Sequence, residues 1–202
     1  MSERGPEQIR VVLAEANEAD VEKIVGVLRE SGMQTVFETV QSEEGLAAAI
    51  ETFQPDVVIS DNTLPLLDYR TALKVVQEVS PWTPVIVVGG LLRNEDSGSF
   101  VRAGAESFVS KLNLSVLPLA VRSAIEARAP LLKLTTRQME VMRLVASGYR
   151  TRDVAQVLNL SEKTVETHRH QLMRKLGFET TASLVRYAMR CGLALASPIM
   201  TM

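Results

Sequence analysis

At 202 residues and 46% hydrophobic content, the chain suits one large or two small domains with ordinary buried cores. Its single cysteine, Cys191, excludes an internal disulfide and any cysteine-based zinc site, which agrees with a reducing compartment. The net charge of −2 conceals two opposite halves: residues 1–128 carry 11 Lys and Arg against 19 Asp and Glu, and residues 129–202 carry 11 against 5, so only the second half suits phosphates.

The N-terminal MSERGPEQIR has no apolar signal core, and no apolar run approaches a membrane span, so a cytoplasmic protein without a membrane partner is expected. After this tail (residues 1–8), short apolar runs alternate with helical patterns. IRVVLA precedes a helix near 18–31, QTVFET one at 43–53, DVVIS one at 68–79, PVIVV one at 94–103 and SFVS one at 114–127. Five strands alternating with five helices predict a parallel sheet covered on both faces over residues 9–127. The functional crevice of such a sheet lies beyond the carboxyl ends of its strands. Glu15, Asp61, Gly89 and Lys111 stand there, after the first, third, fourth and fifth runs.

EARAPLLK, with Pro130, reads as a linker centred on residues 128–133. Beyond it, residues 134–194 form a helical unit. Thr135 and Gln138 have capping-box spacing, Val141, Leu144 and Val145 follow at helical spacing, and Gly148 stops the helix. A short second helix carries Val154, Val157 and Leu158 on one face and breaks at Asn159. Ser161 then caps a third helix, SEKTVETHRHQLMRKLG. The tight connection between the second and third helices is a helix-turn-helix.

On the third helix Val165, Leu172 and Leu176 fall on one side, with His168 close by. The other side carries Lys163, Glu166, Thr167, His170, Gln171 and Arg174, with no apolar member. Such a row of donors and acceptors suits a major groove; Thr164, near the helix start, is added to the same surface. In the fourth helix, TTASLVRYAMRCGL, the stripe Leu184, Val185, Ala188 and Cys191 fits packing on a partner copy or on its own domain. Residues 195–202, within ASPIMTM, read as a loose tail.

The strings LTTRQMEV, VASG, VAQVLNLSEKTVETH and RKLG resemble the DNA-binding domain of LuxR-type regulators in the NarL/FixJ group of response regulators. That resemblance implies a four-helix, all-α domain whose third helix enters the major groove of double-stranded DNA and whose fourth makes a homodimer. PDVVISDNTLPLLD, with Asp61 and with Pro65 four residues later, resembles the phosphoacceptor motif of receiver domains. Lys111 in GAESFVSK matches the receiver lysine, and Phe108 stands at the switch aromatic position. The fold implied is the flavodoxin-like α/β receiver, and the partner implied is a sensor histidine kinase or another ligand.

Two members of the receiver set are missing. A typical first strand ends in two carboxylates, but LAEAN supplies only Glu15, with Ala16 where the main Mg²⁺ ligand belongs. Glu15 and Asp61 remain as metal candidates, with Asn17 a further oxygen. Gly89 replaces the usual Thr or Ser, so the hydroxyl that follows the phosphoryl group is gone, and Gly89 with Gly90 should open the pocket mouth. The expected design is an atypical receiver working with weak or no phosphorylation; the alternative is a conventional switch phosphorylated at Asp61. An enzyme such as a phosphatase is disfavoured, because NTLPL after Asp61 offers no second acid or base.

Overall fold

The computed structural model describes residues 8–90 and 97–193, the side chain of Ser97 apart. Apart from Gln8, the expected tails at 1–8 and 195–202 lie outside the described residues, as does the start of the helix expected at 94–103. The chain forms two compact units, Met1–Glu126 and Ala127–Met202.

In the first unit, β1 (Ile9–Ala14), α1 (Glu18–Glu30), β2 (Thr35–Val40), α2 (Glu43–Phe53), β3 (Val57–Asp61), α3 (Tyr69–Val79), β4 (Val85–Gly89), α4 (Ser97–Arg102), β5 (Ser107–Ser110) and α5 (Leu117–Arg128) alternate as the runs predict. The strands are all parallel, in the order β2-β1-β3-β4-β5. Every residue of β3 and β4 is buried, which is why these strands read as continuous apolar runs rather than as alternation. Alternate side chains serve two layers. Val12, Val58 and Val87 pack with Leu46 and Ile50 of α2, Leu73 and Val76 of α3 and Phe100 of α4. Leu13, Ile59 and Ile86 pack with Ile24 and Leu28 of α1 and with Leu117 and Val121 of α5.

The chain leaves β1 for β2 on one side and returns to β3 on the other, so a crevice opens at the carboxyl ends of β1 and β3. Asn17 holds the start of α1 at that crevice, its Oδ1 accepting from the N–H groups of Ala19 (3.0 Å) and Asp20 (3.4 Å).

In the second unit, α6 (Thr136–Ala146), α7 (Thr151–Leu158), α8 (Glu162–Leu176) and α9 (Thr181–Arg190) surround one core that includes Met142, Val154, Val165, Leu172 and Leu184. The capping box at Thr135 and Gln138 is formed, Gly148 takes φ 85° at the end of α6, and Ser161 Oγ accepts from Thr164 N–H at 3.1 Å.

Two expectations change. The segment read as a linker is helical: α5 continues to Arg128, and Ala129–Lys133 is a 3-10 turn whose Leu131 is 1% exposed in the second core. Pro130 lies at the start of that turn, where its missing N–H costs no bond. In α7 the buried arc is Val154, Ala155 and part of Leu158, leaving Val157 58% exposed. Adding Ala155 moves the centre of the arc about 45° from Val154, and Val157 falls roughly 105° away from it.

Candidate nucleic-acid interface and receiver pocket

Burial of Val165 and Leu172 fixes the roll of α8 in the second core. Lys163, Glu166, Thr167, His170, Gln171 and Arg174 consequently line one open depression along its outer face. All but Gln171 are exposed; Gln171 is half-buried. Thr164 is half-buried outside this row, its hydroxyl 2.7 Å from Ser161 Oγ at the helix cap. Within the row, Glu166 is not free: Thr151 Oγ1 of α7 donates to its Oε1 at 2.9 Å, and Arg169 lies 3.2 Å from its Oε2. Sequence reasoning missed Thr151, since only the packing of α7 on α8 brings it there. The surface combines cationic side chains, Lys163 and Arg174, with polar ones, Thr167, His170 and Gln171.

Of the two readings of the α9 stripe, packing on its own domain accounts for Leu184, Ala188 and Cys191. Leu184 and Ala188 are 0% exposed and Cys191 is 1% exposed, all within their own core, and Val185 is half-buried. An amphipathic helix reports that one face is covered but not by which surface, and here the cover is α6 and its neighbours. Tyr187, on the same side, donates its hydroxyl to Ala127 O at 2.8 Å, and burial raises its pKa well above the ordinary tyrosine range.

At the strand ends of the first unit, Lys111 Nζ donates to Glu15 Oε2 at 2.6 Å and to Asp20 Oδ2 at 2.9 Å, and lies 3.3 Å from Asp61 Oδ1. Thus the expected trio of Glu15, Asp61 and Lys111 is assembled, with Asp20 of α1 as an unforeseen fourth member. Burial opposes the charge on Lys111, but the bonds to Glu15 and Asp20 and the charge of Asp61 outweigh it and hold the ammonium above the ordinary lysine range. The Lys111 hydrogen bond lowers the Asp20 pKa against a smaller effect of burial, with Lys23 helping. Thr63 Oγ1 donates to Asp61 Oδ2 at 3.3 Å, while Asp61 Oδ1 is buried without an aligned donor.

Gly89 does not open the pocket mouth as expected. A Cβ there would lie 2.6 Å from Asn62 Cγ and Oδ1, so the Asn62 side chain already covers this glycine. Gly90 is exposed and faces open space. Phe108 stacks on Phe100 with centroids 4.7 Å apart, and Phe100 meets Tyr69 edge-on at 4.7 Å, which anchors the switch position in the core.

The pocket does not fit Mg²⁺. Glu15 Oε1 accepts from the N–H groups of Ala16 and Asn17, both at 2.9 Å, and its Oε2 is taken by Lys111. Asn17 Oδ1, considered above as a ligand, is committed to the cap of α1. Ala16 has no side-chain oxygen to offer, and no group of three or more His, Cys, Asp or Glu side chains is arranged around a cation site among the described residues.

A doubly wound sheet with an acid–lysine cluster at its strand ends, followed by a helix-turn-helix unit, defines a two-domain, DNA-binding response regulator. Residues 11–122 match the response regulator receiver domain, and residues 132–188 match the bacterial regulatory proteins of the luxR family. The chain belongs to the response regulators that carry a LuxR-type DNA-binding domain, and it is a transcriptional regulator.

It is 28% identical over 189 residues to the Fimbriae Z protein of Salmonella typhimurium, covering 83% of this chain and 89% of that one. It is 30% identical over 181 residues to a putative transcriptional regulator of Pseudomonas aeruginosa, covering 79% and 86%. In fold it is similar to RcsB, solved as two dimers bound to two parallel DNAs (TM-score 0.50, 24% identity, 90% and 98% covered). The first unit is similar to the receiver domain of the Francisella response regulator 1452 (TM-score 0.51, 22% identity, 59% and 98% covered). Among the described residues no helix is long and apolar enough to cross a membrane.

Proposed function

We propose that this regulator acts in the cytoplasm as a homodimer on double-stranded DNA, with a receiver that works with weak or no phosphorylation of Asp61. The observation that carries the reading is the Lys111 ammonium, which stands among Glu15, Asp20 and Asp61 and engages carboxylate oxygens that a divalent cation would need as ligands. The Asn62 side chain over Gly89 supports it, because it fills the space where a phosphoryl-following hydroxyl would stand. The α8 row supplies the DNA contacts: Lys163 and Arg174 to phosphates, and Thr167, His170 and Gln171 to base edges. The receiver takes its input from a sensor kinase, a ligand or a partner protein. No catalytic turnover is assigned, since Asp61 has only the Thr63 hydroxyl beside it in the following loop.

The second reading, a conventional switch, is favoured by one observation: Asp61 and Lys111 stand 3.3 Å apart in the receiver arrangement. A DNA titration with and without Mg²⁺ and beryllofluoride separates the two. Under the proposed reading, affinity changes by less than about threefold, far below the coupling of about 1–3 kcal/mol usual in allosteric systems. A tenfold gain that disappears in Asp61→Ala establishes the conventional switch instead.

A further inference from the structure

Gln138 and Gln171 face each other across α6 and α8, and the bonds around Gln138 decide which end of each amide points where. Gln138 is 3% exposed. Its Oε1 is 3.1 Å from the N–H of Thr135, within the capping box, and 2.9 Å from Lys175 Nζ. A backbone N–H and an ammonium only donate, so the oxygen of Gln138 must face them. The other end of the amide is then Nε2, which only donates, and it lies 3.1 Å from Gln171. The atom of Gln171 that meets it is therefore Oε1, so the NH₂ group of Gln171, which lines the α8 depression, takes no part in this bond. Lys175 is held in place by a second bond, to Lys133 O at 2.9 Å.

We infer that Gln138 is a positioning residue that makes Gln171 present a hydrogen-bond donor, and not an acceptor, to the base edges of the DNA. This inference rests on the proposed reading surface of α8. With its oxygen turned toward buried Gln138, Gln171 is poorly placed for the bidentate contact that a free glutamine makes with adenine, which needs both the oxygen and the nitrogen at the base edge. It is suited instead to the acceptor edges of guanine (O6, N7) or thymine (O4), and it is mismatched with cytosine, whose major-groove edge donates from N4. A glutamate at position 138 would serve Thr135 and Lys175 as well as glutamine does, but would have no proton for Gln171.

That asymmetry gives the test. Full-length wild type, Gln138→Glu, Gln171→Leu and His170→Ala are each put through in vitro site selection from a random duplex pool, with thermal unfolding measured alongside. Gln171→Leu is expected to lose about threefold to tenfold of preference at one base position, where wild type selects guanine or thymine over cytosine, as fits one hydrogen bond. Gln138→Glu should shift the same position alone while its melting temperature stays at or above that of wild type. The inference is overturned if Gln171→Leu weakens all sequences equally, which marks a phosphate contact, or if Gln138→Glu leaves the selected site unchanged. If His170→Ala changes the site and Gln171→Leu does not, the reading surface stands and only this inference fails. If no variant alters the site, the reading surface itself fails.

Discussion

Replacing Lys111 by Met removes the one cation that Glu15, Asp20 and Asp61 share, leaving only Lys23 on Asp20, and tests how the receiver pocket is held together. Glu15, Asp61 and Asp20 have side chains 3%, 10% and 19% exposed around the 17% exposed Lys111, so water screens the cluster little. Removing one partner of a buried ion pair costs about 3–5 kcal/mol; the partial exposure of Lys111 and Asp20 places this case near the lower end, at about 3 kcal/mol. With a urea m-value of about 2 kcal/mol/M, the midpoint should fall by about 1.5 M. Trp82 is the sole tryptophan of the chain and lies between α3 and β4, so its fluorescence reports unfolding of the first unit alone.

The pH dependence separates this mechanism from simple loss of packing. In wild type the depressed Asp20 pKa contributes stability above its ordinary carboxyl value, and that stability is lost as pH falls through the depressed value. The raised Lys111 pKa contributes stability below the ordinary lysine value, lost only as pH rises through the raised one. In Lys111→Met the crowded carboxylates bind protons more readily, so acid relieves the variant before it harms wild type. The gap between the two proteins should be full at pH 7.5 and shrink by half or more at about pH 4.5. A loss below about 1 kcal/mol, or a gap equal at both pH values, would refute the cluster as the element that ties α1, β3 and β5 together.

At Gly89, threonine is the natural attempt to restore a receiver hydroxyl, but its Cβ meets the movable amide end of Asn62 at 2.6 Å; Gly89→Thr should cost about 1 kcal/mol by the same fluorescence assay, and Asn62→Ala in the same chain should recover most of it. The second unit should fold alone and bind DNA when it begins at Ala127, because Tyr187 bonds to Ala127 O and Leu131 belongs to its core; a fragment that starts at Lys133 should melt lower by circular dichroism, and equal melting would contradict the assignment of that turn to the core. Lys163→Ala and Arg174→Ala should weaken all DNA sequences together and each lower the salt slope by roughly one. Glu166→Ala, by contrast, should change site preference by about 1–3 kcal/mol at one or two bases if the carboxylate reads cytosine, and an unchanged selected site assigns Glu166 to holding Thr151 and Arg169 instead.

The parts legible in the sequence are those set by local periodicity and capping. The fully buried β3 and β4, the Thr135–Gln138 box and the outward face of α8 follow from residue spacing within one element. The misread parts depend on what another element brings. Asp20 has the look of an ordinary acid in the first turn of α1, where negative charge suits the helix N-terminus, and only the fold places it 2.9 Å from Lys111. Gly89 looked like empty space because its filler, Asn62, comes from the end of the neighbouring strand. The stripe on α9 was ambiguous for the same reason: Leu184 and Ala188 needed some cover, and nothing in their spacing distinguishes a partner from α6.

Both departures from the receiver pattern are met by a side chain from elsewhere that satisfies the same physical need. Ala16 withdraws a carboxylate from the end of β1, and Asp20 returns one from the side of α1. Gly89 withdraws a side chain from the end of β4, and Asn62 occupies the space. A pocket that had simply lost groups would leave buried polar atoms unpaired, at about 1–3 kcal/mol each. Here Asp61 Oδ1 is the only such pocket atom among the described residues, and it faces an ammonium at 3.3 Å. The replacements keep the charge balance and the packing but change the geometry: the carboxylate of Asp20 closes on Lys111 instead of leaving an oxygen-lined gap. A cation or phosphoryl group entering this pocket must first displace an internal ion pair and an asparagine side chain, and that prior cost is the physical reason the receiver should respond weakly to phosphorylation.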